Sequence, residues 1–192
     1  MNAQTWWYLA RATGYVAWAL VTTSVISGLL LSTRLTNGRP TPAWLLDLHR
    51  FVAGTAVAFT GLHIAGLVAD NYVHFGVADV VVPFASGWRT GAVALGVIAM
   101  YLLAAVEISS LLMRRLPRHL WRTIHLSSYV AFWSATFHLL SAGTDAGHPA
   151  SRVATALAIA AVVFLSLVRA LSGRGRSHRT RPARSKEPQG AT

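Results

Sequence analysis

Four of the eight histidines sit within or at the edge of long apolar stretches: His49, His63, His125 and His138. Ionisable residues in such places are rare and by default suggest function. Their spacing is paired. His49 and His63 are 14 residues apart in one stretch, and His125 and His138 are 13 apart in another. Neutral imidazole is a good ligand for haem iron. Two imidazoles on one iron leave no open coordination position, which favours electron transfer over oxygen binding or catalysis at the metal. There is no cysteine, so thiolate metal sites, thiol redox chemistry and disulfides are excluded. Zinc fits less well, because it usually takes four ligands and only Asp47, near His49, offers a carboxylate beside either pair. The plain alternative is that the histidines are hydrogen-bonded packing residues. That explanation suits one intramembrane histidine better than four in matched pairs.

Something must hold these side chains at matched depths. Of the 192 residues, 54% are hydrophobic and 12% are charged, where a soluble domain carries about a quarter charged. The apolar residues fall in blocks, and five blocks approach the ~20 residues a membrane crossing needs: 6–31, 44–68, 88–113, 120–141 and 153–171. Backbone groups in lipid need internal partners, so each block is expected to be helical. The expected fold is all-α, a membrane bundle of five transmembrane helices. Trp6, Trp7, Tyr8, Trp44, Trp88 and Trp121 cluster at block ends, as interfacial aromatics do. The stretch 72–86 is too short to span and reads as an interfacial segment that could cover what lies beneath it.

The formal net charge of +11 would raise nucleic acid as a partner in a soluble protein. Here the basic residues lie between and after the apolar blocks, so no nucleic acid is expected and membrane lipid is. One side collects Arg34 and Arg39, four arginines from Arg114 to Arg122, and six basic residues from Arg174 to Lys186. The other side has Arg89 and Arg152 in its loops, with Asp70, Asp79 and Asp145. The positive-inside rule then places the N-terminus outside and the C-terminus in the cytoplasm, in the plasma membrane. The first 171 residues form one membrane domain, and 172–192 form a basic tail expected to be disordered.

With this orientation the second and fourth spans run the same way. His49 and His125 share the inner level, and His63 and His138 share the outer one. At ~1.5 Å per residue the levels are ~21 and ~20 Å apart on the two helices, within a ~30 Å apolar core. One metal centre would lie in each leaflet. Fourteen residues nearly return to the same helix face, whereas thirteen do not. A π-bulge, helix tilt or approach from different sides would have to absorb the difference.

Propionate groups of a haem need positive or hydrogen-bonding partners. Arg50 and Arg122 are the inner candidates, although both also read as positive-inside flanks, and Arg11 and Arg89 are the outer ones. Glu107 is expected to pair with a nearby arginine. Gly54, Gly61 and Gly66 could admit a flat macrocycle or simply mark helix contacts. Phe59, Phe132, Trp133 and Phe137 read as packing more readily than as electron relays.

Two stretches, LHRFVAGTAVAFTGLHIAG (48–66) and RRLPRHLWRTIHLSSYVAFWSATFHLLSAGTD (114–145), make the chain resemble the ferric reductase-like transmembrane domain family. That family includes the membrane cores of NADPH oxidases and ferric reductases, and the haem subunit serving a periplasmic methionine sulfoxide reductase. The resemblance implies two b-type haems, the inner one on His49 and His125 and the outer one on His63 and His138. It departs in helix number, since the family core has six. It also departs in lacking a G-x-G-x-x-G after a strand, so a separate electron donor, a flavoprotein or a membrane quinol, is expected, with an acceptor on the outer side. The leading expectation is a transmembrane di-haem electron-transfer protein. The alternatives are a reductase acting directly on ferric iron or oxygen, and a non-redox metal-binding transporter or scaffold.

Overall fold

A computed structural model describes residues 3–33, 42–70 and 75–177. Every regular element in them is a helix: α1 (Ala3–Thr33), α2 (Ala43–Ala69), α3 (Val77–Val81), α4 (Thr90–Leu111), α5 (Arg118–Leu126), α6 (Ser128–Ala142) and α7 (Pro149–Ser177). Proline punctuates the starts. Pro42 and Pro117 immediately precede α2 and α5, and Pro149 opens α7. A helix start leaves its first amides unpaired, so proline's missing N–H costs nothing there. Within the helices, hydroxyls turn back onto the preceding turn: Thr22 bonds Trp18 O at 2.9 Å, Thr60 bonds Ala56 O at 2.8 Å and Thr155 bonds Ser151 O at 2.8 Å. Polar side chains are thus satisfied without leaving the apolar face.

Four helical segments are long and apolar enough to cross a membrane: Thr5–Thr33, Ala43–Ala69, Thr90–Leu111 and Pro149–Ser172. The block expected as a fourth uninterrupted span is instead divided into α5 and α6 at Ser127. There the Ser127 amide bonds Ile124 O at 3.0 Å, three residues back, and its hydroxyl bonds the same carbonyl at 2.6 Å. That is a tightened, 3₁₀-type turn, at a pair of serines that compete for backbone partners. Regular α bonding resumes with Ala131 N to Ser127 O at 2.9 Å. The turn lies between His125 and His138. On an ideal helix their 13-residue spacing leaves them ~140° apart. Overwinding toward ~3 residues per turn removes part of that difference. A tightened turn, not a π-bulge, therefore occupies the place where the mismatch must be absorbed.

The helices form two pairs. α1 packs along α2, and α4 packs along α6. α1 also touches α6, and α7 lies against the outside of α1. α2 and α6, the helices that carry His63 and His138, share no substantial packing. A buried wall of Val21, Val25, Leu29, Ala56, Phe132 and Val162 fills the middle of the bundle. Trp18 ties it together, its indole donating to Thr136 Oγ1 at 3.1 Å.

Of the expected interfacial stretch, residues 72–74, His74 among them, lie outside the described residues. In the remainder only part of the stretch turns inward, and Val77, Val82 and Phe84 stay exposed. Phe75 and Val80 join Val93 and Val97 in a second core cluster beside Trp88. Helix α7 runs to Ser177, past the boundary expected at 171. Residues 178–192, and Arg34 and Arg39, lie outside the described residues.

Candidate functional site

The four histidines come together in two pairs. The rings of His63 and His138 have centroids 6.3 Å apart with planes at 75°, and those of His49 and His125 are 6.1 Å apart at 67°. An imidazole nitrogen binds a first-row metal at ~2 Å. With ~1 Å more from nitrogen to ring centre, two rings on opposite sides of one metal lie ~6 Å apart centre to centre. Both pairs have that separation. No group of three or more histidine, aspartate or glutamate residues with metal-site geometry occurs among the described residues.

The remaining ring nitrogens are already engaged. His63 Nδ1–H donates to Ala10 O and His138 Nδ1–H donates to Ala92 O, both at 2.7 Å. His49 Nδ1–H donates to Ser24 O at 3.0 Å, with Ser27 Oγ at 3.2 Å. A carbonyl only accepts, so these bonds place the proton on Nδ1 and leave the Nε2 lone pair for a metal. Metal-bound histidines are held in this manner, which also orients the ring. His125 differs. Its Nδ1 lies 3.5 Å from Ser110 Oγ, whose own proton goes to Val106 O at 2.7 Å.

Each ring reaches its carbonyl because nothing stands in front of it. Four residues after Ala10, Ser24 and Ala92 come Gly14, Gly28 and Gly96. A Cβ on Gly14 would lie 2.8 Å from His63 Nδ1, and on Gly96 2.8 Å from His138 Nδ1. On Gly28 it would lie 3.2 Å from His49 Cε1. Ser110 occupies the equivalent position four residues after Val106, and there the hydroxyl intervenes between ring and carbonyl. The scaffold is therefore regular: α1 backs both histidines of α2, and α4 backs those of α5 and α6.

Around His63 and His138 the helices leave a partly open, largely apolar cleft. The walls include Trp18, Val21, Leu103 and Met100, and Phe75, Val80 and Trp88 line it as well. The interfacial segment thus does cover this level. Arg11 lines the same cleft and is ion-paired with Asp145 through Nη2, while its Nε is buried without a partner among the described residues.

The other sequence candidates are placed as follows. Arg50 and Arg122 are exposed. Arg89 is exposed too, precedes α4 in the left-handed conformation (φ 42°) and donates to Ser141 O. Glu107 does not pair with an arginine among the described residues; its carboxylate faces Gly54 across the α2–α4 contact. Gly66 is a helix-contact glycine pressed on Ala10, where a Cβ would meet backbone at 3.1 Å. Phe132 is fully buried in the central wall, as packing would have it. Trp133 stacks on Phe137 at 5.9 Å.

Sequence reasoning did not single out Gly14, Gly28, Gly96 or Ser110. A glycine or serine at the depth of each histidine, on the preceding long span, was the available signal. It also passed over Arg169, a basic residue inside the last apolar block.

No curated protein and no solved structure matches the chain. A family model does, that of the ferric reductase like transmembrane component, over residues 13–136. The matched stretch holds His49, His63 and His125 and ends two residues before His138. With well over half of its length matched, the chain belongs to the ferric reductase like transmembrane component family.

Proposed function

We propose that the chain carries electrons across a membrane through two b-type haems, one held by His49 and His125 and one by His63 and His138. The carrying observation is the pair of ring separations, 6.1 and 6.3 Å, with Nδ1 of three of the four rings donating to a backbone carbonyl. A haem held by two imidazoles at each level would supply a one-electron carrier. The protein's share of the work is positional. Ala10, Ser24 and Ala92 fix tautomer and ring plane for three of the rings, Ser110 gives His125 only a long contact, and Arg11 offers a cation beside the 63/138 level. The wall around Phe132 and Trp18 keeps water from the space between levels, where charge would be poorly screened.

In this reading α5 and α6 cross together as one broken span, giving five crossings. The distribution of arginines supports an outer N-terminus and a cytoplasmic C-terminus, which makes 49/125 the inner level and 63/138 the outer one. Electrons enter from a separate flavoprotein or quinol on the inner side and leave to an acceptor outside the plasma membrane.

The test is the reduced-minus-oxidised spectrum of the purified protein, with a haem count per chain. Low-spin bis-histidine haem b at two per chain is expected; a folded, colourless protein overturns the proposal. Because the bonds at Nδ1 set the ring planes, and the rings are crossed at both levels, both ferric haems should give strongly anisotropic low-spin resonance signals. Proteoliposomes with an internal reductant and an external ferric chelate then separate a pure conduit from a chain that reduces a small acceptor unaided.

A further inference from the structure

Two polar groups beside His125 are used by nothing described so far. Trp121, one turn earlier on α5, stacks on the His125 ring with centroids 5.0 Å apart and planes 26° from parallel. Its indole N–H is buried and has no hydrogen-bond partner among the described residues. Arg169 lies within the apolar stretch of α7, partly buried, with its guanidinium in electrostatic reach of His125. No acid neutralises it among the described residues. The ion pair they contain joins Arg11 to Asp145, and Glu107 on α4 takes no part in one.

A buried donor without an acceptor is unfavourable alone, and a partly buried cation near the end of a span favours a negative partner. One stacks on the His125 ring and the other lies within electrostatic reach of it, at the level where the expected cations, Arg50 and Arg122, are solvent-exposed. The other level is balanced differently, since Arg11 already has Asp145. What is missing beside His125 is an acceptor carrying negative charge. Building on the haem reading above, we propose that Trp121 and Arg169 form the carboxylate seat of the inner site, receiving one propionate of the macrocycle held by His49 and His125. The indole supplies a directed N–H and the guanidinium supplies charge and further donors. Partial burial of both side chains keeps that contact less screened than one at the exposed arginines.

The experiment compares wild type, Arg169→Gln, Arg169→Lys and Trp121→Phe, each loaded with haem or with haem dimethyl ester, whose carboxylates are blocked. Transfer to excess apomyoglobin measures retention, and the inner haem is identified by its absence from His125→Ala. The glutamine and phenylalanine variants should release the inner haem roughly ten- to a hundredfold faster, the range for a charge-assisted hydrogen bond, with the outer haem unchanged. In wild type the ester should leave the inner site faster than haem by a similar factor. That preference should vanish in Arg169→Gln and return in part with lysine. Trp121→Phe keeps the aromatic stack and removes only the donor, so its ratio stands even if the arginine variant folds poorly. Retention equal to wild type in both variants, or an undiminished preference for haem over ester in Arg169→Gln, overturns the proposal. A wild type that binds no haem refutes the reading of the histidine pairs instead.

Discussion

At the 63/138 level both histidines donate to backbone carbonyls at 2.7 Å, beside glycines that leave no room for a side chain. At the 49/125 level one bond is 3.0 Å to a carbonyl, and the other ring meets only a serine hydroxyl at 3.5 Å. The ring-to-ring distances are nonetheless nearly equal, 6.3 and 6.1 Å. The two levels thus share ligand spacing while differing in how firmly the ligands are gripped. Hydrogen bonding to a ligating imidazole raises its basicity and is one of the levers on haem potential. In the proposed conduit, a difference in the residues behind the histidines would set the two carriers apart.

The largest test of the comparison removes a ligand. His138→Ala and His125→Ala should each lower the haem count from two to one per chain, and the surviving haem should differ in spectrum between the two. Identical residual spectra would dissolve the distinction. Next come the glycines. Gly14→Ala and Gly96→Ala place a methyl 2.8 Å from a ring, whereas Gly28→Ala places it at 3.2 Å. The first two should weaken outer-haem retention ~10–100-fold, the range for disturbing the groups behind a ligand, and the third should do less at the inner level. Equal sensitivity would mean that the rings shift freely and the grip does not matter.

Ser110→Gly should sharpen the comparison from the other side, because it clears the way from His125 to Val106 O. The more basic ligand then favours ferric iron. The inner midpoint potential should fall by roughly 30–60 mV in a redox titration, where ~59 mV is tenfold for one electron. A rise would reverse the proposed sign. The smallest effect belongs to the wall between levels. Thr136→Val removes the acceptor of the Trp18 indole and should cost ~1 kcal/mol of stability in denaturation with both haem spectra intact. A spectral change would show that the wall is not neutral toward the sites.

The histidine levels were legible because an ionisable side chain in an apolar block stands out against its neighbours, and helix rise converts spacing to depth. Four spans were legible from length and apolarity alone. The broken span was less so. Arg118 and Arg122 dilute the apolar run in α5, and nothing in a hydropathy pattern marks where two serines will draw a carbonyl into a tighter turn. Gly14, Gly28, Gly96 and Ser110 remained hidden for a different reason. Their role depends on which helices lie side by side, and a glycine that admits an imidazole reads the same as one that admits another helix, as Gly66 does. Arg169 was passed over because a basic residue near a span end ordinarily serves as a flank; only the path of α7 brings it near His125.

The lack of substantial packing between α2 and α6 carries a consequence for biogenesis. The halves already meet where α1 touches α6, through the Trp18–Thr136 bond, and where α2 touches α4. A porphyrin held as proposed would add a link between α2 and the α5–α6 span at two depths, so its insertion would tighten an assembly that has already formed. Metal capture and folding are coupled in this way wherever a site is complete only in the finished structure. Cells starved of haem should accumulate a loosely mated chain that is cut readily by proteases in the connection between the halves, and supplying the pigment should protect it.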